Sequence, residues 1–368
     1  MTRRLLLLNG IAICGVILFH ASGWGYVAMF SWAHRYLPVT SPNYDQVGSL
    51  SYYALRFIEQ VVVFALPAFL FVSGFFIAVA TGRRPNVGWN LVWARIKYLV
   101  IPYLIWSFVL FFAFFLQGIV LSPGGYLVML LTGRTNPAYY YVPLLVQFYL
   151  LSPILVPLAK RWWLALLIVA AVIQLLVQLT YYPVLLGMNL PGMEPYLDLF
   201  PKWLFPTRIF WFTLGVVVGF NLTAVKQLLE RIKWGLLAMA LILIPLGIIE
   251  WELMLHYSGR DWFGHRETIL DTLYSLAFIL AFLAFEKFAI PYAKGVSDLG
   301  TRSFGIYLIH SPVMEYVSRG IFHLAPWILG YQIILQPVLI IYGLWIPLML
   351  MTIVDRSQFR RYYLYIFG

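Results

Sequence analysis

Two polar side chains, Asn9 and His20, stand inside an otherwise apolar run at the start of the chain, Leu5-Leu6-Leu7-Leu8-Asn9-Gly10-Ile11-Ala12-Ile13-Cys14-Gly15-Val16-Ile17-Leu18-Phe19-His20. Eleven steps at about 100° each return to within roughly 20° of the start, so one helical face carries both, about 16 Å apart. A neutral imidazole is the one side chain whose ordinary pKa lies near working pH, which makes His20 a candidate base toward an alcohol. The competing reading is an imidazole that donates one hydrogen bond to a neighbouring helix as packing. Ionisable groups at such depth are costly and face a bundle interior or a wet cavity, so they mark functional sites by default.

Counting about 1.5 Å per residue puts His20 roughly 22 Å from the inner end of its span, with Glu59, Gln147 and Arg208 about 6 to 14 Å from the outer ends of theirs. His310 falls nearer the midplane. Glu59 follows Arg56 by one helical turn and reads as a local ion pair. Arg208 reads either as a site residue or as an interfacial side chain that snorkels, and Gln147 as a site residue or a bridge between helices. Cys14 is a poor nucleophile: it sits about 120° from His20 around the helix, and hydrocarbon disfavours a thiolate. As the lone cysteine it excludes an intramolecular disulfide and a cysteine-rich metal site, and no metal ligand set is expected. The chain has no Walker loop, Gly-x-Ser-x-Gly elbow, His-Glu-x-x-His or paired-cysteine motif.

The elements that must hold these groups follow from composition. The 368 residues are 62% hydrophobic and 11% charged, with mean hydropathy +0.85, a balance that excludes a soluble domain. Windows of about 20 apolar residues fall near 5–28, 55–80, 98–118, 138–158, 162–182, 204–222, 234–254, 268–287, 301–322 and 328–354. The expected fold is therefore all-α, a polytopic transmembrane bundle of about ten spans with both termini cytoplasmic. With the amino terminus inside, seventeen of the 25 cationic residues lie in cytoplasmic segments and eight on the other side, as the positive-inside rule requires. The net charge of +11 then needs no nucleic-acid partner, because anionic lipid attracts the inner rim anyway.

The basic, apolar start reads as a retained span rather than a cleaved signal. No loop is long enough for a second domain, so residues 1–368 read as one transmembrane unit. Outer-loop aromatics such as Tyr181-Tyr182-Pro183 suit an interfacial belt. Internal inverted repeats are not apparent, and the Asn221-Leu222-Thr223 sequon falls on the cytoplasmic rim. Pro and Gly within spans, among them Pro67, Gly74, Pro102, Gly215 and Pro312, read mostly as packing features. Arg83, Arg84, Arg95 and Lys97 have the charge to hold a polyphosphate, although the positive-inside bias explains them equally well.

In order along the chain, several blocks resemble the integral-membrane acyltransferase 3 family: Asn9-Gly10-Ile11-Ala12-Ile13 through Phe19-His20, Phe71-Val72-Ser73-Gly74-Phe75, and Arg95-Ile96-Lys97-Tyr98 through Pro102-Tyr103. They continue through Gln147-Phe148-Tyr149-Leu150-Leu151-Ser152-Pro153, Arg208 with Phe212 and Gly215, and Ser303-Phe304-Gly305-Ile306-Tyr307-Leu308-Ile309-His310. The resemblance implies transfer of an acyl group, often acetyl, from coenzyme A to a sugar or related acceptor. It implies acyl-coenzyme A as a co-substrate with no bound cofactor, and His20 as the essential base. Contacts to donor or acceptor are expected from Asn9, Arg95, Gln147, Tyr149, Arg208, Ser303, Tyr307 and His310, with Gln147, Tyr149 or Tyr307 steadying the oxyanion.

Two departures stand out. The family's first span usually bears an Arg ahead of the His, where this chain has Asn9, so the resemblance implies either that Arg3, Arg4, Arg95 or Lys97 meets the anionic donor instead or that the donor differs. Leu145 stands where many members carry a Glu, which makes the chain resemble the acetylase-like members that lack it. The remaining implied partners are membrane lipids and a sugar or glycolipid acceptor, in a bacterial-type plasma membrane. The rival functions are a saccharide or acylated-glycan transporter and a pseudoenzyme.

Overall fold

The computed structural model describes residues 2–188, 200–264 and 266–368, and these form a bundle of helices with no strand among them. In chain order the helices are α1 (Thr2–Tyr26), α2 (Leu50–Val62), α3 (Ala65–Thr81), α4 (Trp89–Leu116), α5 (Pro123–Thr132), α6 (Tyr141–Arg161), α7 (Trp163–Leu179) and α8 (Tyr182–Leu185). After the undescribed stretch come α9 (Ile209–Phe220), α10 (Leu222–Ser258), α11 (Ile269–Ala284), α12 (Ala293–Thr301), α13 (Ser303–Leu324), α14 (Gln332–Arg356) and α15 (Tyr363–Phe367). Six helical stretches are long and apolar enough to cross a membrane, and shorter apolar helices lie among them.

All ten apolar windows fall on helices, and the ends that charge placement assigns to one side do meet. Arg4 donates to the carbonyls of Phe282 (3.1 Å) and Phe288 (3.2 Å), and Lys160 donates to Gly82 (2.9 Å). At the opposite end Arg35 donates to Phe322 (2.9 Å) and Tyr52 to Glu252 (2.7 Å).

Three windows differ from a simple span, each for a local reason. The 55–80 window is two helices, because Pro67 has no N–H to offer the carbonyl of Val63 and the chain turns at Val63–Phe64. The 204–222 window holds only twelve helical residues in α9, about 18 Å of rise, too short to cross a hydrocarbon core of about 30 Å. The chain before α9 makes only a 3-10 turn, Phe205–Thr207, a break in α-helix that a membrane tolerates where protein covers it or it lines a cavity. The 234–254 window is the middle of a 37-residue helix, α10.

Close helix approach fixes the frame. A Cβ at Gly215 would lie 1.9 Å from the Phe71 carbonyl, so α3 and α9 meet backbone to backbone. A Cβ at Gly10 would lie 1.8 Å from the carbonyl of Val296, which holds α12 against α1 beside Asn9. Pro312 leaves the carbonyl of Leu308 without its i+4 donor, and the buried hydroxyl of Tyr139 supplies one at 2.7 Å. That bond ties α13 to the segment entering α6. The register of α13 then puts Ser303, Tyr307 and His310 on one face, by steps of four and three residues.

Candidate active site

Two cavities lie end to end in the bundle. The inner one encloses about 660 Å³ and is lined by Asn9 of α1, Ser73 of α3, Arg95 of α4, Tyr149 of α6 and Ser303 and Tyr307 of α13. The outer one encloses about 450 Å³ and is lined by His20, Glu59, Tyr140, Lys202, Arg208, Glu267 and Tyr307. Tyr307 belongs to both walls. Asn9 and His20, on one face of α1, therefore open into different chambers.

The outer cavity owes its opening to features already met. The turn before Pro67 contributes Val63, Ala65 and Leu66 to its wall, and the π-helical turn Val27–Ser31 that extends α1 contributes Val27, Phe30 and Ser31. Such π-helical turns are frequent at functional sites.

Its charges are largely paired. Arg56 and Glu59 form a buried ion pair with a hydrogen bond, and the Arg56 guanidinium lies 3.9 Å from the Trp251 ring centre. Arg208 Nε approaches Glu267 Oε2 at 3.2 Å, an ion pair rather than an aligned hydrogen bond, and its guanidinium faces the Tyr140 ring at 5.6 Å. Glu267 Oε1 accepts from Trp211 (3.1 Å) and Thr272 (3.1 Å). Arg208 is thus held inside the protein and does not snorkel to an interface. Lys202 lines the same cavity and the adjoining mouth.

His20 makes no hydrogen bond to a described residue, and its ring centre lies 5.1 Å from that of His310. His310 is fully buried and lines neither cavity. Gln147 also lies outside both: its amide donates to Trp203 (2.7 Å) and Pro143 (3.0 Å) and accepts from the Phe205 N–H (3.2 Å). This amide pins the segment that carries Lys202 and Arg208.

In the inner cavity Asn9 Oδ1 is buried without a hydrogen-bond partner. Of the four cations expected to substitute for the family Arg, only Arg95 lines this cavity. Arg4 is occupied by backbone carbonyls and the Phe282 ring, and Lys97 lies against the Tyr98 and Tyr365 rings. Leu145 forms part of the wall, and Cys14 lines neither chamber. No group of His, Cys, Asp and Glu among the described residues could hold a metal ion.

Sequence reasoning missed Tyr140, Lys202 and Glu267. Glu267 stands in a polar stretch, Arg266-Glu267-Thr268, ahead of a span, which was the available signal. Its partnership with Arg208 had none.

Paired buried charges beside an imidazole, and a second chamber that shares the Tyr307 wall, sit within a bundle whose apolar helices make it a multi-pass membrane protein. A family model described as an acyltransferase domain matches residues 5–353, and the chain belongs to this family, acyltransferase 3. No curated protein and no solved structure gives a significant match.

Proposed function

We propose that this acyltransferase moves an acyl group, acetyl foremost, from acyl-coenzyme A to a hydroxyl of a sugar or glycolipid, in a bacterial-type plasma membrane, with His20 as general base. One observation carries the reading: Tyr307 is the common wall of a chamber holding Asn9 and Arg95 and a chamber holding His20.

In this scheme the donor enters from the inner rim, where Arg95 meets a phosphate, and its neutral pantetheine arm runs past Asn9 to bring the thioester to Tyr307. The acceptor hydroxyl arrives in the outer cavity. His20 takes its proton as the oxygen attacks the thioester carbonyl, and the Tyr307 hydroxyl, which has no hydrogen bond to a described residue, donates to the oxyanion. The carbon–sulfur bond then breaks. The coenzyme A thiolate leaves with the proton returned by the His20 imidazolium, and the ester remains on the acceptor. Transfer is direct in this scheme, since no described residue lining either chamber is an activated nucleophile.

Purified protein in detergent, given labelled acetyl-coenzyme A, should transfer or hydrolyse the label. His20→Ala should lower kcat by about 10²- to 10⁴-fold while leaving donor affinity intact. Equal activity in the variant would remove His20 from the chemistry.

A further inference from the structure

His310 reaches neither cavity, yet its surroundings constrain it more tightly than packing requires. Its Nδ1 lies 2.7 Å from the carbonyl of Tyr307 and 3.2 Å from that of Ile306, one turn back on α13. Carbonyl oxygens only accept, so Nδ1 carries the hydrogen. The ring is fully buried and its Nε2 has no hydrogen-bond partner. A second proton there would leave a buried cation with an unsatisfied N–H, which is expensive; the neutral Nδ1–H form leaves a lone pair at Nε2 instead. The nearest polar ring is His20, centre to centre 5.1 Å and tilted by 56°.

We infer that His310 is a positioning residue that selects the working tautomer of His20. Resting on the base role proposed above, the inference is that one His20 nitrogen donates its N–H to His310 Nε2. The other His20 nitrogen is then left with its lone pair toward the outer cavity and the acceptor hydroxyl.

The two carbonyl contacts hold the His310 ring in one rotamer, so its lone pair has a fixed direction. His20 has room to answer, because it is only half-buried and has no other described hydrogen-bond partner. The 5.1 Å between ring centres is compatible with an N–H···N contact between the two ring edges. Catalytic hydrogen bonds are often long before substrate binds and shorten in the reactive complex. When His20 takes the acceptor's proton, both of its nitrogens carry hydrogen, and His310 Nε2 accepts from the one that faces away from the acceptor. No proton passes to His310: its Nδ1 keeps its own hydrogen, donated to the Tyr307 carbonyl, throughout. The arrangement follows the logic of an orienting group behind a catalytic imidazole, with a neutral acceptor where a carboxylate is commoner.

The test uses three full-length variants in detergent, with kcat and both KM values measured. His310→Gln offers an amide oxygen at the reach of Nε2. His310→Asn reaches only as far as Nδ1, and His310→Phe fills the space without an acceptor. We expect the Gln variant to keep kcat within a few-fold. The Asn and Phe variants should lose kcat by about 10²-fold, the lower end of what a general base contributes, with both KM values within twofold. Equal loss in Gln, Asn and Phe, or full activity in Phe, would overturn the inference while leaving the base role of His20 intact. Full activity in His20→Ala would instead remove the base role and this inference together. Thermal unfolding midpoints of the three variants separate a folding defect from a lost orientation: a kcat loss that tracks the midpoint counts against the inference.

Discussion

The two chambers meet at one tyrosine and are built on opposite plans. No Asp or Glu side chain lines the inner one among the described residues; its polar features are an unpaired amide oxygen, hydroxyls and the single cation of Arg95. The outer one is walled by Arg208, Glu59, Glu267, Lys202 and His20, with Arg56 directly behind, and four of these six charge-bearing groups are locked in two ion pairs. A site that holds a long, mostly neutral arm needs length and one charge at its mouth. A site that moves a proton needs its surrounding charges fixed beforehand, so that none of them reorganises during the step.

The largest test of this contrast strikes the outer network. Arg208→Met leaves Glu267 buried without its cation, and breaking a buried pair in this way costs about 3 to 5 kcal/mol. A sharp fall in the thermal midpoint is expected, with part recovered in the Arg208→Met, Glu267→Gln double variant. A midpoint like that of the unaltered protein would show the outer charges to be loosely held. On the inner side, Arg95→Gln should raise the donor KM about tenfold, equal to about 1.4 kcal/mol, with kcat and acceptor KM unchanged. A change in acceptor KM instead would dissolve the division of labour. Asn9→Arg restores the cation usual in the family and should lower the donor KM by a few-fold, an effect that steady-state kinetics at low salt would resolve; an unchanged KM would separate Asn9 from the donor's path.

The smallest effect is a pH dependence at the outer cavity. Lys202 is open to cavity water yet hemmed in by protein, and desolvation together with Arg208 and Arg266 lowers its pKa to about 8. A lysine whose folded pKa is lowered releases its proton more readily when folded, so stability rises with pH between about 8 and the unfolded value near 10.4. Lys202→Met should therefore be more stable than the parent below pH 8 and approach it above pH 10. Thermal unfolding across that range measures the difference, discounted because the side chain is wetted.

What the sequence allowed one to read, and what it hid, divides along physical lines. Apolar runs are long and local, so all ten windows found helices, and the Arg56–Glu59 pair was legible because one helical turn separates its members. Hydropathy cannot tell a full helix from a shorter one preceded by a single tight turn, so the short α9 and the 3-10 turn Phe205–Thr207 read as a full span. Pro67 and Pro312 read as packing features; one breaks a helix beside the outer cavity, and the other frees a carbonyl for Tyr139. The Arg208–Glu267 pair joins segments far apart in the chain, and the engagement of Gln147 with backbone depends on a fold that no local pattern encodes.

The shared wall has an electrical consequence. Were the two chambers watered from opposite faces of a bilayer, a transmembrane voltage would drop mainly across the wall they share, the Tyr307 ring and its neighbours. Each elementary charge crossing such a septum is worth about 2.3 kcal/mol per 100 mV. In the proposed transfer the acyl group moves one way and the acceptor's proton returns to the thiolate the other way, so no net charge crosses that field and turnover should proceed alike in energised and in collapsed vesicles.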